Sequence, residues 1–191
     1  MKQRPLKVRR WTRKEYDHLG ELGIFEGEPL ELIGGQLFVA EPKGPYHAGG
    51  VGMIAATIRR ALPPGWLVRV QDAIALDDES EPEPDIAVVP GDDRDYLAEH
   101  PGRPALVVEV AQSSLRFDRR RKGSLYARGG VQDYWIVNLV DRVLEVYRDP
   151  IVDDAARYGW SYRSVERITT AGSVTLLALP AVRITVADLL P

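Results

Sequence analysis

The chain has no cysteine among its 191 residues, and its only histidines are at positions 18, 47 and 100. The absence of cysteine excludes disulfides and thiolate metal sites. No two histidines have the spacing typical of zinc ligands. No apolar run approaches the ~20 residues that a membrane helix needs, and the basic start MKQRPLKVRRWTRKEY lacks the apolar segment of a signal peptide. We therefore expect a cytoplasmic protein that does not enter a membrane.

The charge of the chain is close to balanced, with 25 basic residues, 28 acidic residues and a net charge of -3. The protein as a whole is therefore not a basic nucleic-acid-binding module, although a local basic cluster can still bind phosphate. A hydrophobic content of 45% is ordinary for a soluble globular protein. The length favours one domain over residues 1–191, with residues 1–10 as a flexible or strand-like arm.

Most of the elements that the sequence predicts are short and bounded by glycine or proline. Thr12 and Glu15 form the pattern of a capping box, which starts a helix that ends near Gly20 or Gly23. The other predicted elements are a hairpin over about 30–40, helices over 46–62 and 113–130, strands over 65–76, 85–90, 105–111, 131–139, 142–149, 161–169 and 173–179, an irregular segment over 151–160, and a last helical turn capped by Thr185. Strands outnumber helices, which favours an α+β (α/β-like) fold with a mixed sheet flanked by helices.

Glu109 interrupts an apolar run. Six of the seven residues from Ala105 to Ala111 are apolar, which predicts a buried strand. In a strand, Glu109 shares one face with Ala105, Val107 and Ala111. A buried carboxylate is costly unless it is paired, protonated or bound to a cation. Glu109 is therefore either a core residue paired with an arginine or a functional residue.

Two further features accompany Glu109. Asp85, in PEPDIAVV, stands at the entrance of a short strand, where a turn aspartate is the simpler interpretation. The stretch from Arg116 to Lys122 holds five basic residues in seven positions, and a helix there could return one of them toward Glu109. The alternative is a solvated face on which Asp118 and Lys122 pair at i, i+4.

Taken together, these residue types point to one chemistry. Two carboxylates at adjacent strand ends can share Mg²⁺, which prefers oxygen ligands. The metal lowers the pKa of its bound water and polarises a phosphodiester, and a lysine nearby orients the water and stabilises charge on the phosphate. An aspartate, a glutamate and a lysine are therefore sufficient for metal-dependent phosphodiester hydrolysis, although many sequences contain such a trio by chance.

Five stretches of the chain resemble the Uma-two family when they are taken in order: LELIGGQL, PEPDIAVV, LVVEVAQSS, FDRRRKGSLYARGGVQDYWIVN and LEVYR. That family consists of restriction-endonuclease-like proteins of the PD-(D/E)xK nuclease superfamily. The resemblance covers about residues 10–190. It implies a restriction-endonuclease-like core, in which acidic residues converge at one edge of a mixed sheet.

The resemblance also implies the roles of particular residues. Asp85 matches the first metal-binding acid and Glu109 the second, while Glu31 in LELIGG matches a recurrent glutamate that reaches the metal. The superfamily lysine usually lies two residues after the second acid, where this chain has Ala111, so the matching position is Lys122 on the following helix. The implied cofactor is Mg²⁺, with Mn²⁺ as a substitute.

A second set of residues is predicted to contact nucleic acid. It comprises His47, Gln112, Ser113, Arg119 and Arg120, with Arg121 as a further candidate. His47 matches a family histidine that would contact phosphate, and a capping or core role is the alternative. For at least two of the three arginines the alternative is a solvated helix face.

The leading hypothesis is a Mg²⁺-dependent DNA endonuclease that acts as a homodimer on double-stranded DNA, because cutting two strands usually requires two sites. One alternative is a catalytically inactive protein with a nuclease fold, which binds nucleic acid or has a regulatory role. Another is a sugar hydrolase with two carboxyl groups ~5 or ~6.5–9.5 Å apart and no need for a lysine. The apolar segment SVTLLALPAVRITV could supply a dimer interface, but such a segment is more often core.

Overall fold

A computed structural model describes residues 7–39 and 44–191. The strands are β1 (Leu30–Ile33), β2 (Gln36–Val39), β3 (Trp66–Val70), β4 (Ile86–Pro90), β5 (Leu106–Ala111), β6 (Asp133–Asn138), β7 (Val143–Val152), β8 (Trp160–Thr169), β9 (Ser173–Thr175) and β10 (Arg183–Thr185). The helices are α1 (Arg13–Glu21), α2 (Pro45–Ala61), α3 (Leu115–Phe117) and α4 (Gly123–Arg128). A π-helical turn over Asp118–Lys122 joins α3 to α4, and 3-10 turns occupy Asp93–Tyr96 and Val186–Leu189.

Six strands form a mixed sheet in the order β3-β4-β5-β6-β7-β8. Neighbours are antiparallel except β5 and β6, which are parallel. A parallel pair needs a crossover connection, and here the segment from α3 through α4 provides it. Since the crossover begins where β5 ends, its first residues lie near the carboxyl end of β5.

The two faces of the sheet are covered by different layers. On one face α2 buries Val51, Ile54 and Ile58 against β5 residues such as Val108 and Val110. On the opposite face the crossover packs with a second apolar cluster, whose members include Ile33, Val107, Ala111, Leu125, Tyr126, Tyr134 and Ile136. The alternation predicted for β5 is therefore confirmed, and the face that carries Glu109 is turned toward the crossover.

Local sequence signals at the amino-terminal end are also confirmed. Thr12 caps α1, and both hydrogen bonds of its capping box with Glu15 are present. The hairpin of β1 and β2 turns through Gly34 and Gly35, whose φ angles are +56° and +74°. A Cβ atom at Gly34 would also lie 2.4 Å from the ring of Tyr158, so this position requires glycine for both conformation and space.

Four predicted elements are wrong in extent. The strand predicted over 173–179 ends at Thr175. The strand predicted over 65–76 ends at Val70, because Gln71 turns the chain with a φ of +53°. β7 continues past Pro150 to Val152, since this part still pairs with β8. The helix predicted over 113–130 is interrupted by the π-helical turn.

The carboxyl-terminal segment forms part of the core. Val174, Leu176, Val182 and Ile184 are all buried in the cluster that contains α2. A short strand, β10, precedes the last turn, and Thr185 occupies the N-cap position without a side-chain capping bond. The core alternative for this apolar segment is therefore the one that the structure supports.

Two other predictions concern the chain as a whole. Of the predicted arm over 1–10, residues 1–6 lie outside the described residues. The single domain over 1–191 stays a prediction. Within the described part of the chain, no helix has the length and apolar character needed to cross a membrane.

Candidate active site

The register between β4 and β5 brings Asp85 next to Glu109. Ile86 pairs with Val108, so the residue that enters β4 lies beside the carboxyl half of β5. The backbone N–H of Val110 donates a hydrogen bond to Asp85 Oδ2 at 2.8 Å. Both carboxylates are almost fully buried, with exposed fractions of 2% for Asp85 and 3% for Glu109.

The π-helical turn delivers Lys122 to the same place. Gly123 donates its backbone N–H to the carbonyl of Asp118, which closes the wider ring of this turn. Lys122 is buried, and its Nζ lies 2.9 Å from Glu109 Oε1 and 3.6 Å from Glu31 Oε2. Glu31 comes from β1 and accepts a hydrogen bond from the backbone N–H of Glu83 at 3.2 Å. The structure therefore brings the four predicted catalytic residues into one cluster.

Tyr126 and Asp118 belong to this cluster, although neither was among the residues predicted from the sequence. The Tyr126 hydroxyl donates to Glu109 Oε1 at 2.7 Å, and both residues are buried. Asp118 is buried as well and accepts a hydrogen bond from Ser114 Oγ at 2.5 Å. Both residues are four positions from Lys122, and this spacing along one helix face is the signal that could have found them.

Burial and neighbouring charge change the protonation of the acids. Burial raises the pKa of Glu109 to about 8; Lys122 opposes this shift, while Asp85, Asp118 and Glu31 add to it. Burial also raises the pKa of Asp118. For Lys122, burial lowers the pKa, but the attraction of Glu109, Glu31 and Asp118 outweighs it, so the pKa is raised and the ammonium stays charged. The cluster therefore favours the uptake of a proton or of another cation.

A cavity of about 420 Å³ opens onto the cluster. Its lining consists of Glu31, Ile33, Phe38, Val39, Gly44, His47, Asp85, Glu109, Gln112, Ser113, Ser114, Phe117, Asp118 and Lys122. His47, in the first turn of α2, places Nε2 3.3 Å from Asp85 Oδ2. Its buried Nδ1 has no hydrogen-bond partner among the described residues. Gln112 and Ser113 are exposed, as expected for residues at the mouth of a cavity.

The predicted arginines lie elsewhere. Arg119 binds the buried carboxylate of Glu145 on β7 with Nε at 2.9 Å and with Nη2. Burial alone would raise the pKa of Glu145, but hydrogen bonds from Arg119, Asn138 and Tyr147 lower it, so this carboxylate is ionised. Arg120 and Arg121 line a second cavity, and the first cavity contains none of these arginines in its lining.

Oxygen ligands suited to a divalent metal are present. Glu31, Asp85 and Glu109 supply carboxylate oxygens, which Mg²⁺ and Mn²⁺ prefer. Within residues 7–39 and 44–191, no three acidic or histidine side chains already converge as a metal-binding group. Lys122 contacts two of the carboxylates instead. The residues therefore fit a divalent cation by their chemistry and by the raised pKa values of Glu109 and Asp118.

Replacing Tyr126 with phenylalanine tests how the cluster holds Glu109. We expect the fold to be retained, because the ring still fills its place in the core, while any activity of the cluster falls by about 10–100-fold. The physical reason is that Glu109 Oε1 loses one of the two hydrogen bonds that it accepts from described residues and keeps only the one from Lys122. Far-UV circular dichroism checks the fold, and Tyr96→Phe is the matched control, since the Tyr96 hydroxyl donates to the carbonyl of Pro90, outside the cluster. Equal activity of the two variants would contradict this role.

The fold and the buried acid–lysine cluster define a nuclease-like α+β protein. A crystal structure described as "a putative nuclease belonging to DUF820", from Anabaena variabilis, has the same fold, with a TM-score of 0.55, 16% sequence identity, and coverage of 84% of this chain and 88% of that chain. A family model named Uma2, described as "Putative restriction endonuclease", matches residues 13–187. The chain belongs to this family, and the predicted family and fold class are both confirmed. A comparison with curated proteins gives no match.

Proposed function

We propose that this protein is a divalent-metal-dependent DNA endonuclease that hydrolyses phosphodiester bonds at the cavity of Glu109. The observation that carries the proposal is the contact of Lys122 Nζ with Glu109 at 2.9 Å, inside a buried group of acids. A lysine beside carboxylates in one cavity combines metal ligands with a positive charge for the phosphate. Membership of a family described as restriction endonucleases supports the same reaction.

Glu31, Asp85 and Glu109 would hold Mg²⁺ or Mn²⁺ in this proposal. When it is bound, the ion supplies a water of lowered pKa and polarises the phosphodiester. Burial raises the pKa values of Glu109 and Asp118, so a bound cation would compensate the negative charge of carboxylates that are otherwise costly to bury.

The other residues of the site hold these groups in position. Lys122 keeps its proton on Nζ and presents a positive charge to the phosphate. Tyr126 fixes Glu109, and the backbone N–H of Val110 fixes Asp85. The aromatic ring of Phe117 forms part of the cavity wall.

The test combines metal binding with cleavage. We expect Mg²⁺ to give a binding isotherm by calorimetry, and supercoiled plasmid to be nicked in Mg²⁺ or Mn²⁺ but not in EDTA. Asp85→Asn should weaken Mg²⁺ binding by at least about tenfold, because one carboxylate ligand is lost. Asp93→Asn is the matched control, since Asp93 is exposed on the 3-10 turn beyond the far end of β4.

Two results would count against an endonuclease. One is unchanged Mg²⁺ affinity in Asp85→Asn, and the other is the absence of nicking across varied DNA substrates with either metal. DNA binding without metal binding would favour the alternative of a catalytically inactive, nucleic-acid-binding nuclease fold. The observation that favours this alternative is that Lys122 already contacts two of the acids. Double-stranded DNA as the substrate, the homodimer and the cytoplasmic location stay predictions.

A further inference from the structure

A second cavity, of about 730 Å³, shares the crossover segment with the first. Asp118 and Lys122 face the first cavity, whereas other residues of the same segment face the second. We call this second cavity the arginine groove, because five arginines line it: Arg116, Arg119, Arg120, Arg121 and Arg157. Tyr147, Tyr162 and Trp160 are the aromatic residues of the lining.

The arginine groove is positively charged although the protein carries a net charge of -3. No aspartate or glutamate lies in its described lining. Of the five arginines that line the cavity, only Arg119 forms a salt bridge within residues 7–39 and 44–191, whereas the chain as a whole has more acidic than basic residues. Such a local excess of positive charge attracts anions, and the guanidinium fork matches the oxygens of a phosphate.

The five arginines are not equally available to a ligand. Arg119 is held by Glu145, and Arg121 lies over the ring of Phe38 at 4.7 Å. Arg116, Arg120 and Arg157 are exposed, and within residues 7–39 and 44–191 they form no salt bridge.

Two arginines nearby on β8, unlike those of the groove that form no salt bridge, are paired with carboxylates. Arg163 pairs with Asp149 at 2.9 Å, and Arg167 pairs with Asp141 at 2.7 Å. These two side chains are exposed as well, but a carboxylate partly neutralises each of them. The uncompensated charge of this region is therefore concentrated in the arginine groove.

The arginine groove adjoins the candidate active site. Arg121 lines the groove, and its guanidinium lies 4.7 Å from the ring centre of Phe38 and 5.6 Å from that of Phe117. Both of these rings line the cavity of Glu109. A chain of phosphates could therefore pass from one cavity to the other across Arg121.

We propose that the arginine groove binds the phosphodiester backbone of the nucleic-acid strand that enters the cavity of Glu109, an inference that rests on the proposed function. Arg116, Arg120 and Arg157 contact phosphates, and Arg121 marks the passage between the two cavities. Because Trp160 is only partly buried, its ring offers a surface on which an unpaired base can stack.

The test measures binding separately from cleavage. Anisotropy of a fluorescent oligonucleotide, single-stranded or duplex, is followed in EDTA with wild-type protein and with the double variant Arg120→Glu/Arg157→Glu. We expect roughly tenfold weaker binding or more, and a salt dependence whose slope falls by about two, because two phosphate contacts are lost. Tighter binding of the single strand than of the duplex is expected if Trp160 stacks on a base.

The control is Arg60→Glu/Arg94→Glu, which changes the net charge equally and affects neither cavity. Equal loss of binding in both double variants would overturn the proposal, because net charge alone would then explain it. Full competition by inorganic phosphate or polyglutamate at matched charge would also overturn it, since the groove would then be a general anion site.

The proposed function and the arginine groove can fail independently. If the groove variant loses oligonucleotide binding but the wild type cleaves nothing, the groove is supported and the endonuclease is not. If the wild type cleaves plasmid while the groove variant binds and cleaves like the control, the groove is rejected and the endonuclease stands.

Discussion

Lys122→Met is expected to slow phosphodiester cleavage by about 10²–10³-fold and to lower the free energy of unfolding by about 3–5 kcal/mol at pH 9, where Glu109 is ionised. The rate falls because the substitution removes the positive charge that faces the phosphate in the proposed reaction. Stability falls because Lys122 Nζ is the cation that contacts Glu109 and Glu31, and the buried acids lose their partner. Plasmid nicking and urea denaturation without metal measure the two effects.

The loss of stability in Lys122→Met should be smaller at pH 5 than at pH 9. At pH 5 Glu109 is protonated, since its pKa is about 8 even with the lysine present, and a neutral carboxyl group tolerates burial. At pH 9 Glu109 is mostly ionised in the wild type, and the buried charge then needs the lysine. Lys14→Met is the matched control, because Lys14 is exposed on α1. Cleavage rates are compared at a temperature where circular dichroism shows the variant to be folded.

Retained activity in Lys122→Met would contradict the role of the lysine. If the folded variant hydrolysed phosphodiesters at the wild-type rate, the positive charge would have to come from another group. If it hydrolysed glycosides instead, the carboxylate-pair sugar hydrolase would replace the nuclease, because that reaction does not require a lysine.

Glu109 was the residue of the cluster that the sequence pattern predicted most directly. Glu109 was predictable because an apolar run with one carboxylate is unusual, and alternation along the strand placed it on one face. The contact between Asp85 and Val110 depends on the register of β4 against β5, which no local pattern encodes. The sequence predicted that a helix after β5 could return one basic residue toward Glu109, but the choice of Lys122, like that of Glu31, came from the family resemblance. A π-helical turn departs from the period that sequence analysis assumes.

The sequence did not reveal which residues, distant along the chain, contact the predicted side chains. Arg119, in the π-helical turn, was predicted to contact nucleic acid. It binds Glu145 instead, which is 26 residues away on β7. The alternative of a solvated face, on which Asp118 and Lys122 pair, is wrong: both residues are buried, and Lys122 contacts Glu109 and Glu31. Burial depends on what packs against a helix, and the sequence of the helix alone does not contain that information.

Glu109→Gln is expected to abolish cleavage and, without metal, to raise the free energy of unfolding at pH 8. The pKa of Glu109 is about 8 in the folded protein, against 4.5 for the free side chain. Between these values the folded state binds a proton that the unfolded state has released, so this group lowers stability as pH rises. Glutamine removes the effect, and we expect little change near pH 4.5 and a gain of roughly 3–5 kcal/mol near pH 8.

Divalent metal should reverse the order of stability of wild-type protein and Glu109→Gln at pH 8. A ligand that binds only the folded state stabilises it, by about 2.7 kcal/mol at a hundred times its dissociation constant. Wild-type protein should therefore gain stability in Mg²⁺ at pH 8, whereas Glu109→Gln should gain much less, because the variant lacks one carboxylate ligand. Thermal denaturation with and without Mg²⁺, between pH 5 and pH 8.5, measures both effects.

Glu166→Gln is the control for the loss of one negative charge, since Glu166 is exposed on β8. The control should have the pH dependence and the Mg²⁺ response of wild type. An equal gain in Glu109→Gln at pH 5 and pH 8 would contradict the raised pKa of Glu109. An equal response of Glu109→Gln and wild type to Mg²⁺ would show that this carboxylate is not a metal ligand. In that case the burial of Glu109 would serve only its hydrogen bonds with Lys122 and Tyr126.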